Sequence, residues 1–250
     1  MGTTSPIVLK LRHIFDLTPE GERLLDSVAA RRVELPKGAD FVVQGEPDEA
    51  AYVVLEGWAS RSRQLADGRR QILNFLLPGD WAGLTTILFR TADHSATAVT
   101  PIVAARVFPA DMAVLFRDHV RLALGIYWSA AQEEAVVSEH LVDVGQRSAF
   151  ERLAHLFFET LLRLDVVGQV GADDSFDFPL NQRDLADAMG LSQIHVNRML
   201  KRLHREALVE VSGRQAHVLD RLKLERAVNF ERTYLHLGGE PPWLRGRVEQ

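Results

Sequence analysis

The stretch that decides the fold of this 250-residue chain is NQRDLADAMGLSQIHVNRMLKRLHR, at residues 181–205. Asn181, with Asp184 three residues later, is a typical N-terminal cap for a short helix. Gly190 stands where the chain must turn with a positive φ, which glycine adopts without steric cost. Ser192 then caps a second helix. The stretch therefore predicts two short helices joined by a tight glycine turn.

Two helices joined in this way can pack at a steep angle only if the crossing point is small. Ala186 lies four residues before Gly190, and Val196 lies six residues after it and fills the other side. A small residue, a glycine and a branched apolar residue at these offsets are the signature of a helix-turn-helix. The other inward positions are also apolar: Leu185, Met189, Leu191, Met199, Leu200 and Leu203.

The outward face of the second helix carries amides and cations. From Ser192 to Arg205 there are four basic residues and no acidic one. The segment 181–226 holds nine Lys or Arg against six Asp or Glu, a net charge of +3 in a chain of −5. Amide and guanidinium groups can read base edges, and cations bind phosphates, so we expect this face to bind double-stranded DNA. Its members are Gln193, Asn197, Arg198, Lys201, Arg202 and Arg205.

A β-hairpin is predicted after the second helix. Two β-prone runs, 208–211 and 215–219, flank the turn Ser212-Gly213-Arg214. Such a wing commonly reaches the DNA backbone beside the groove, which makes Arg214 a candidate phosphate contact. A hairpin that only covers the small core explains the pattern equally well.

The N-terminal half has the pattern of an antiparallel β-roll. Between Val33 and Phe108, short β-prone runs alternate with turn signals at intervals of roughly 8–12 residues. A short helix beginning at Thr18-Pro19 precedes them, because threonine caps helices and proline suits the first helical position.

A long helix is predicted over residues 110–144, where glycine and proline are almost absent. Apolar residues recur there every seven positions, and such a stripe usually packs against a partner helix, so we expect a dimerisation helix. One long helix packed on its own domain is the alternative. The stripe is Ala123, Ala130, Val137 and Val144, with Ile126, Glu133 and His140 in the intervening positions.

The pair Ser148 and Glu151 forms a capping box that opens a further amphipathic helix. The segment Gly168–Phe178, which is rich in Gly and Asp, is predicted to be a surface loop.

The expected organisation is a β-roll domain at 1–110, a dimerisation helix at 111–147, a winged helix-turn-helix domain at 148–237 and a tail at 238–250.

Composition excludes several classes of function. The chain has no cysteine, which removes disulfides, thiolate metal sites and iron–sulfur clusters. Its apolar runs are too short to span a bilayer, and the N-terminus lacks the pattern of a signal peptide. We expect a cytoplasmic protein with no membrane partner.

With these features the chain resembles the superfamily of the cyclic-AMP receptor protein and the fumarate–nitrate regulator (Crp/Fnr). The resemblance rests on the glycine-punctuated roll, the turn Pro78-Gly79-Asp80, the long helix and LADAMGLSQIHVNRMLKRL at 185–203. It implies an α+β protein with a cyclic-nucleotide-binding-like antiparallel β-roll, a long dimerisation helix and a C-terminal winged helix-turn-helix. It further implies a homodimeric transcription regulator, not an enzyme, that binds a palindromic operator and contacts RNA polymerase.

The resemblance also assigns roles within the recognition helix. Gln193, Ile194 and Arg198 would face base edges, whereas Ser192, His195, Lys201 and Asn181 would hold phosphates. Cyclic-AMP-type members carry an Arg–Glu pair where this chain has Gln193-Ile194, so only the Arg198 contact, which suits guanine, carries over directly. The full set of DNA-binding candidates is Asn181, Ser192, Gln193, Ile194, His195, Asn197, Arg198, Lys201, Arg202 and Arg214.

The effector pocket departs further from the family pattern. Where cyclic-nucleotide-binding members have Gly-Glu-Leu and then Arg-Ser/Thr-Ala, this chain has Gly83-Leu84-Thr85 and then His94-Ser95-Ala96. The carboxylate for the ribose and the guanidinium for the phosphate are both missing, so we expect no binding of cyclic AMP. His94 could hold a different anion, but a solvated loop histidine is the simpler interpretation. No cofactor and no effector can be identified, and the histidine spacing does not support haem.

The sequence argues against three other functions. A metal-dependent cupin enzyme needs clustered histidines, and none occurs between Ile14 and Asp93. A serine hydrolase would need a Gly-x-Ser-x-Gly elbow, which is absent. A nucleotide- or anion-sensing module that acts on a protein partner remains the alternative to DNA binding, and the helix-turn-helix argues against it.

Overall fold

The structure is a computed structural model, and it describes residues 4–89 and 91–239. The described residues fall into two compact units. The first unit comprises those within 1–61, 75–136 and 232–250, and the second those within 62–74 and 137–231.

The first unit begins with two helices, α1 (Pro6–Ile14) and α2 (Pro19–Ala29). The predicted cap of α2 is confirmed, because the Thr18 side chain accepts a hydrogen bond from the amide of Gly21. Eight strands follow: β1 (Arg32–Leu35), β2 (Asp40–Val42), β3 (Ala51–Glu56), β4 (Ala59–Gln64), β5 (Arg70–Leu76), β6 (Trp81–Ala82), β7 (Ser95–Ala98) and β8 (Ile102–Val107), with a short 3-10 helix at Thr86–Leu88. Residues 62–64 of β4 and 70–74 of β5 belong to the second unit.

These strands form two four-stranded sheets, in the orders β1-β8-β3-β6 and β2-β7-β4-β5. Strand β8 pairs antiparallel with both β1 and β3, and β2 pairs antiparallel with β7. The predicted antiparallel β-roll is therefore confirmed. Its apolar core is shared with the helices, as in the cluster of Leu11, Val53, Trp81, Val107 and Leu122.

The long helix is divided in two, which corrects the prediction of one helix over 110–144. The structure has α3 (Pro109–Asp118) and α4 (Val120–Gln146). His119 separates them with φ −136° and ψ 75°, outside the helical region. A histidine is not a helix breaker, so the sequence carries no local signal for this interruption.

The intervening positions predicted for the stripe on α4 are wrong, because their side chains pack or pair within the chain. Ile126 is 1% exposed in the core of the first unit, while Glu133 and His140 bind other residues of their own chain. Exposed apolar side chains lie instead at Val120, Tyr127 and Leu141, which are seven or fourteen residues apart, and Glu134 occupies the place between the last two. Together with the predicted positions they form the α4 stripe: Val120, Ala123, Tyr127, Ala130, Val137, Leu141 and Val144.

The second unit is built on α5 (Ala149–Val166), whose predicted capping box between Ser148 and Glu151 is confirmed. The remaining elements are β9 (Ser175–Asp177), α6 (Gln182–Met189), α7 (Gln193–Arg205), β10 (Val209–Ser212), β11 (Gln215–Val218) and α8 (Arg221–Ala227). The strands form a sheet in the order β10-β11-β9, so the predicted wing is extended by a third strand.

Strand β9 lies in the segment predicted to be a surface loop, and that prediction is wrong for residues 175–177. Phe176 pairs with Ala216 of β11, and both Phe176 and Phe178 are buried. The many glycines and aspartates of the segment favour a loop, and they outweighed the signal of Phe176 and Phe178 in the sequence.

The end of the second unit differs from the predicted boundary at 237. Residues 232–237 are grouped with the first unit, because Leu235 is fully buried and its carbonyl oxygen accepts a hydrogen bond from Gln132 Nε2 at 2.6 Å. Of the predicted tail at 238–250, residues 240–250 lie outside the described residues.

Candidate nucleic-acid interface

The bend between α6 and α7 has the geometry that the sequence predicts. Gly190 adopts φ 65° and ψ 37°, the left-handed conformation expected of a glycine that ends a helix. The amides of Gly190 and Leu191 both donate to the carbonyl oxygen of Ala186. The turn therefore closes α6 and sends the chain directly into α7.

Side chains cap the starts of both helices. Asn181 Oδ1 accepts hydrogen bonds from the amides of Arg183 at 2.8 Å and Asp184 at 3.0 Å. Ser192 Oγ accepts one from the amide of His195 at 3.2 Å. Asn181 and Ser192, predicted phosphate contacts, thus have a structural role as N-caps while both residues remain exposed.

The inner face of the helix pair is anchored on the core of its own unit. Val196 and Leu203 of α7 are fully buried, and Leu185 of α6 is 1% exposed. Arg152 of α5 donates from Nη1 to the carbonyl oxygen of Met189 at 2.8 Å, which satisfies an otherwise open group at the end of α6. This support holds α7 in place from one side only.

The opposite side of α7 is open to solvent and forms a groove. Gln193 and Arg198 are exposed, and Ile194 has 84% of its surface exposed. Six of the ten predicted DNA-binding residues meet there, Gln193, Ile194, Asn197, Arg198, Lys201 and Arg202, together with Gln182, Met199 and Arg205. Gln182 was missed as a site residue, although its place next to the cap residue Asn181 could have pointed to it.

Two of the residues predicted to contact DNA also bind other residues of their own chain. The Arg202 guanidinium lies 4.0 Å from the ring centre of Phe150, and its Nε donates to Glu206 Oε1 at 2.6 Å. Arg214, at the tip of the wing, donates to Asp177 Oδ2 at 3.3 Å in an exposed pair. Arg198 and Lys201, in contrast, point cationic groups into the groove.

The hairpin between β4 and β5 contacts α6 inside the second unit. Arg70 binds two carboxylates of α6, Asp184 Oδ1 at 3.0 Å from Nη2 and Asp187 Oδ2 at 2.9 Å from both Nε and Nη2. Gln71 Nε2 donates to the carbonyl oxygen of Ala188 at 3.0 Å. These contacts hold the first helix of the helix-turn-helix and leave the face of α7 uncovered.

A buried ionic cluster lies behind the helix-turn-helix. His140 donates from Nε2 to Glu159 Oε2 at 2.9 Å and from Nδ1 to the carbonyl oxygen of Leu73 at 2.8 Å. Burial by itself would lower the pKa of His140, but the Glu159 carboxylate and these hydrogen bonds raise it to about 9. Burial opposes the ionised form of Glu159, yet His140 and Arg163 outweigh it and lower its pKa.

Comparison with known proteins identifies the family. The cyclic nucleotide-binding domain family matches residues 32–119, and the Crp-like helix-turn-helix domain family matches residues 151–227. The nitrogen fixation regulation protein FixK of Bradyrhizobium diazoefficiens is 30% identical over 198 residues, which cover 78% of this chain and 81% of FixK. The chain belongs to the Crp/Fnr family of transcription regulators. This family consists of regulators and not of enzymes.

Further relatives agree with this assignment. FixK of Rhizobium meliloti is 27% identical over 222 residues, 88% of this chain and 93% of that protein. The solved structure of FixK2 from Bradyrhizobium japonicum has a TM-score of 0.68 at 28% identity and covers 78% of this chain and 95% of its own. A CRP-family regulator from Thermus thermophilus, TTHB099, shares the fold with a TM-score of 0.63 at 22% identity, covering 79% and 97%.

The residues predicted for the effector pocket of this Crp/Fnr regulator differ in their surroundings. Gly83, Leu84 and His94 are buried, Thr85 is exposed, and half-buried Ser95 accepts a hydrogen bond at Oγ from the amide of Gln44 at 3.0 Å. The interpretation of His94 as a solvated loop histidine is wrong, because its side chain is 4% exposed and its Nδ1 lies 2.6 Å from Asp93 Oδ1.

The charged groups described around His94 are paired with one another. Burial, reinforced by the nearby Arg61 cation, lowers the pKa of His94, so the ring is neutral at pH 7. Arg61, on β4, donates to Glu133 of α4 at 3.0 Å, with both side chains 18% exposed. The Arg61 guanidinium is thus already paired with a carboxylate, and a second carboxylate, Asp93, contacts the histidine.

Among the described residues, no group of three or more potential ligands could hold a metal ion. None of the helices in the same part of the chain is long and apolar enough to cross a membrane.

Proposed function

We propose that this Crp/Fnr regulator binds double-stranded DNA as a homodimer, at an operator with two-fold symmetry. The observation that carries the proposal is the open face of α7, which bears four basic and no acidic residues and is fixed from behind by α5, α6 and the Gly190 turn. A rigid, cationic and amide-bearing helix of this size fits the major groove.

Within this interface the side chains divide by chemistry. Arg198 has a free guanidinium fork for the O6 and N7 atoms of guanine, and Gln193 and Asn197 have amides that can pair with base edges. Lys201 and His195 are suited to phosphates, as are the exposed caps Asn181 and Ser192. Arg202 acts mainly by packing on Phe150, and Arg214 is a peripheral phosphate contact.

The α4 stripe supports the homodimer. Tyr127 is 70% exposed and Leu141 74%, and together with exposed Val120 they are spaced by multiples of seven residues on a helix of 27 residues. A second copy of this helix would bury the stripe in coiled-coil packing. Two recognition helices related by a dimer axis would read half-sites about one helical turn of DNA apart.

The same regulator is proposed not to use cyclic AMP. A cyclic phosphate would meet the neutral His94 and its partner Asp93 where the family pattern has a cation. Arg61 would have to leave Glu133 to compensate, which would leave a half-buried carboxylate without its partner. Its activity would then depend on another effector or on none.

In the cell, the regulator is proposed to act in the cytoplasm together with RNA polymerase. The relatives AadR of Rhodopseudomonas palustris and FnrL of Cereibacter sphaeroides are named as transcriptional activators, and the helix-turn-helix here is of the same family.

Gel-shift titration of random-sequence duplexes at low salt tests DNA binding directly. The wild-type protein should bind, and Lys201→Ala should bind all sequences more weakly with a smaller salt dependence. Arg23→Ala removes an equal charge from exposed α2 and should match the wild type. No shift at low salt, or equal loss in both variants, would contradict the proposal.

A further inference from the structure

The second residue of the recognition helix is an exposed aliphatic side chain. Ile194 is 84% exposed, more than any other large apolar side chain in the described part of the chain. Single exposed apolar residues are ordinary on protein surfaces, so exposure alone means little. What distinguishes Ile194 is that the residues three, four and seven positions after it on the same helix face are all polar or charged.

The helix period puts Ile194 beside the residues proposed to read DNA. Asn197, Arg198 and Lys201 follow it by three, four and seven residues, and all of them line the same groove. Four residues of α-helix advance about 6 Å, so Ile194 lies one turn before Arg198. With α7 in the major groove, Ile194 would therefore face a base pair about two base-pair steps from the one that Arg198 reads.

An aliphatic side chain can make an apolar contact with only one group that base pairs expose in the major groove. Ile194 has no donor or acceptor, so it cannot pair with the hydrogen-bonding edges of any base. The C5-methyl group of thymine is the apolar feature that base pairs present there. An acidic side chain at this position would instead accept a hydrogen bond from the N4 amino group of cytosine.

We infer that Ile194 is a specificity-determining residue that selects a thymine in each half-site through its C5-methyl group. The inference rests on the proposed function, since it requires α7 to lie in the major groove. It gives this regulator an operator that differs at one base pair from the operators of relatives with an acidic residue there. The selected thymine lies near the guanine read by Arg198.

Replacement of thymine by deoxyuridine tests the contact, because the exchange removes the methyl group and keeps every hydrogen-bonding group. Operators are first selected from a random duplex pool with the wild-type protein, and each thymine is then replaced singly. One thymine per half-site should respond, with affinity falling about four-fold, as expected for one buried methyl group. Restoring the methyl group as 5-methylcytosine in place of cytosine at the same position should raise affinity.

Variants of Ile194 assign the response to this side chain. Ile194→Ala, with a shorter apolar side chain, should retain only a small part of the difference between thymine and deoxyuridine operators, and Ile194→Val should retain most of it. Alanine is a good helix former, so α7 is preserved. Leu222→Ala, which truncates another exposed aliphatic residue of the second unit, should keep the full wild-type response.

The outcomes separate this inference from the proposed function. A protein that binds no DNA would refute both. A protein that selects operators but shows no thymine sensitive to deoxyuridine, or the same sensitivity in Ile194→Ala as in the wild type, would overturn the role of Ile194 and leave DNA binding intact.

Discussion

The buried pair of His140 and Glu159 makes the stability of the second unit depend on pH in a defined direction. The folded protein raises the pKa of His140 from 6.5 to about 9. A histidine with a raised pKa stabilises the fold fully below its ordinary pKa, and the stabilisation disappears as the pH rises through the folded value. The contribution of His140 is therefore complete below about pH 6.5 and lost progressively up to about pH 9.

The size of the effect follows from that shift. One pKa unit corresponds to about 1.4 kcal/mol, so the protonated His140 contributes about 3 kcal/mol at most. Between pH 7 and pH 9 the free energy of unfolding of the second unit should fall by about 2 kcal/mol from this group. Glu159 has the opposite dependence, because its lowered pKa stabilises the fold above about pH 4.5 and the effect fades in acid.

Hydrogen exchange of amides in α5, corrected for the pH dependence of intrinsic exchange, measures this free energy locally. The wild-type protein should lose protection from pH 7 to pH 9, and His140→Gln should be less stable at pH 7 with a flatter profile. His204→Gln, at an exposed position, serves as the control. An unchanged profile in His140→Gln would refute the assignment of the proton to this pair.

Other substitutions test the interface and its supports. Arg198→Ala should cost about 1–3 kcal/mol on a selected operator and relax the choice of one base pair, measured by binding to all variants of that pair. Leu141→Glu places a charge in the α4 stripe and should shift the protein from dimer to monomer in sedimentation experiments; a dimer unaffected by it would exclude this face as the interface. Arg70→Ala leaves Asp184 and Asp187 without their cation and should reduce the local stability of α6 by about 1 kcal/mol, seen as faster amide exchange in α6.

The helix-turn-helix could be predicted residue by residue because its determinants are local. The caps at Asn181 and Ser192 and the positive φ of Gly190 depend on neighbours within four residues along the chain. The β-roll could be predicted only as a fold class, since turn signals at regular intervals indicate where the strands begin and end. The partners of the strands are distant in sequence, and no spacing indicates that β8 lies between β1 and β3.

Other features depended on information that periodicity does not carry. The stripe on α4 was offset because Ile126 and Tyr127 are both compatible with an apolar seam, and only packing shows that Ile126 is buried. The break at His119 has no glycine or proline. The burial of His94 depends on tertiary packing, and the pairing of Arg61 with Glu133 joins residues 72 positions apart.

The central claim is that α7 presents its cationic face to DNA. A hydroxyl-radical footprint of the wild-type protein on an operator selected from random duplexes tests it most directly. The account predicts two protected patches related by two-fold symmetry, about one helical turn apart, which Arg198→Ala weakens on that operator. No protection at low salt, or protection that Arg198→Ala leaves unchanged, would contradict it.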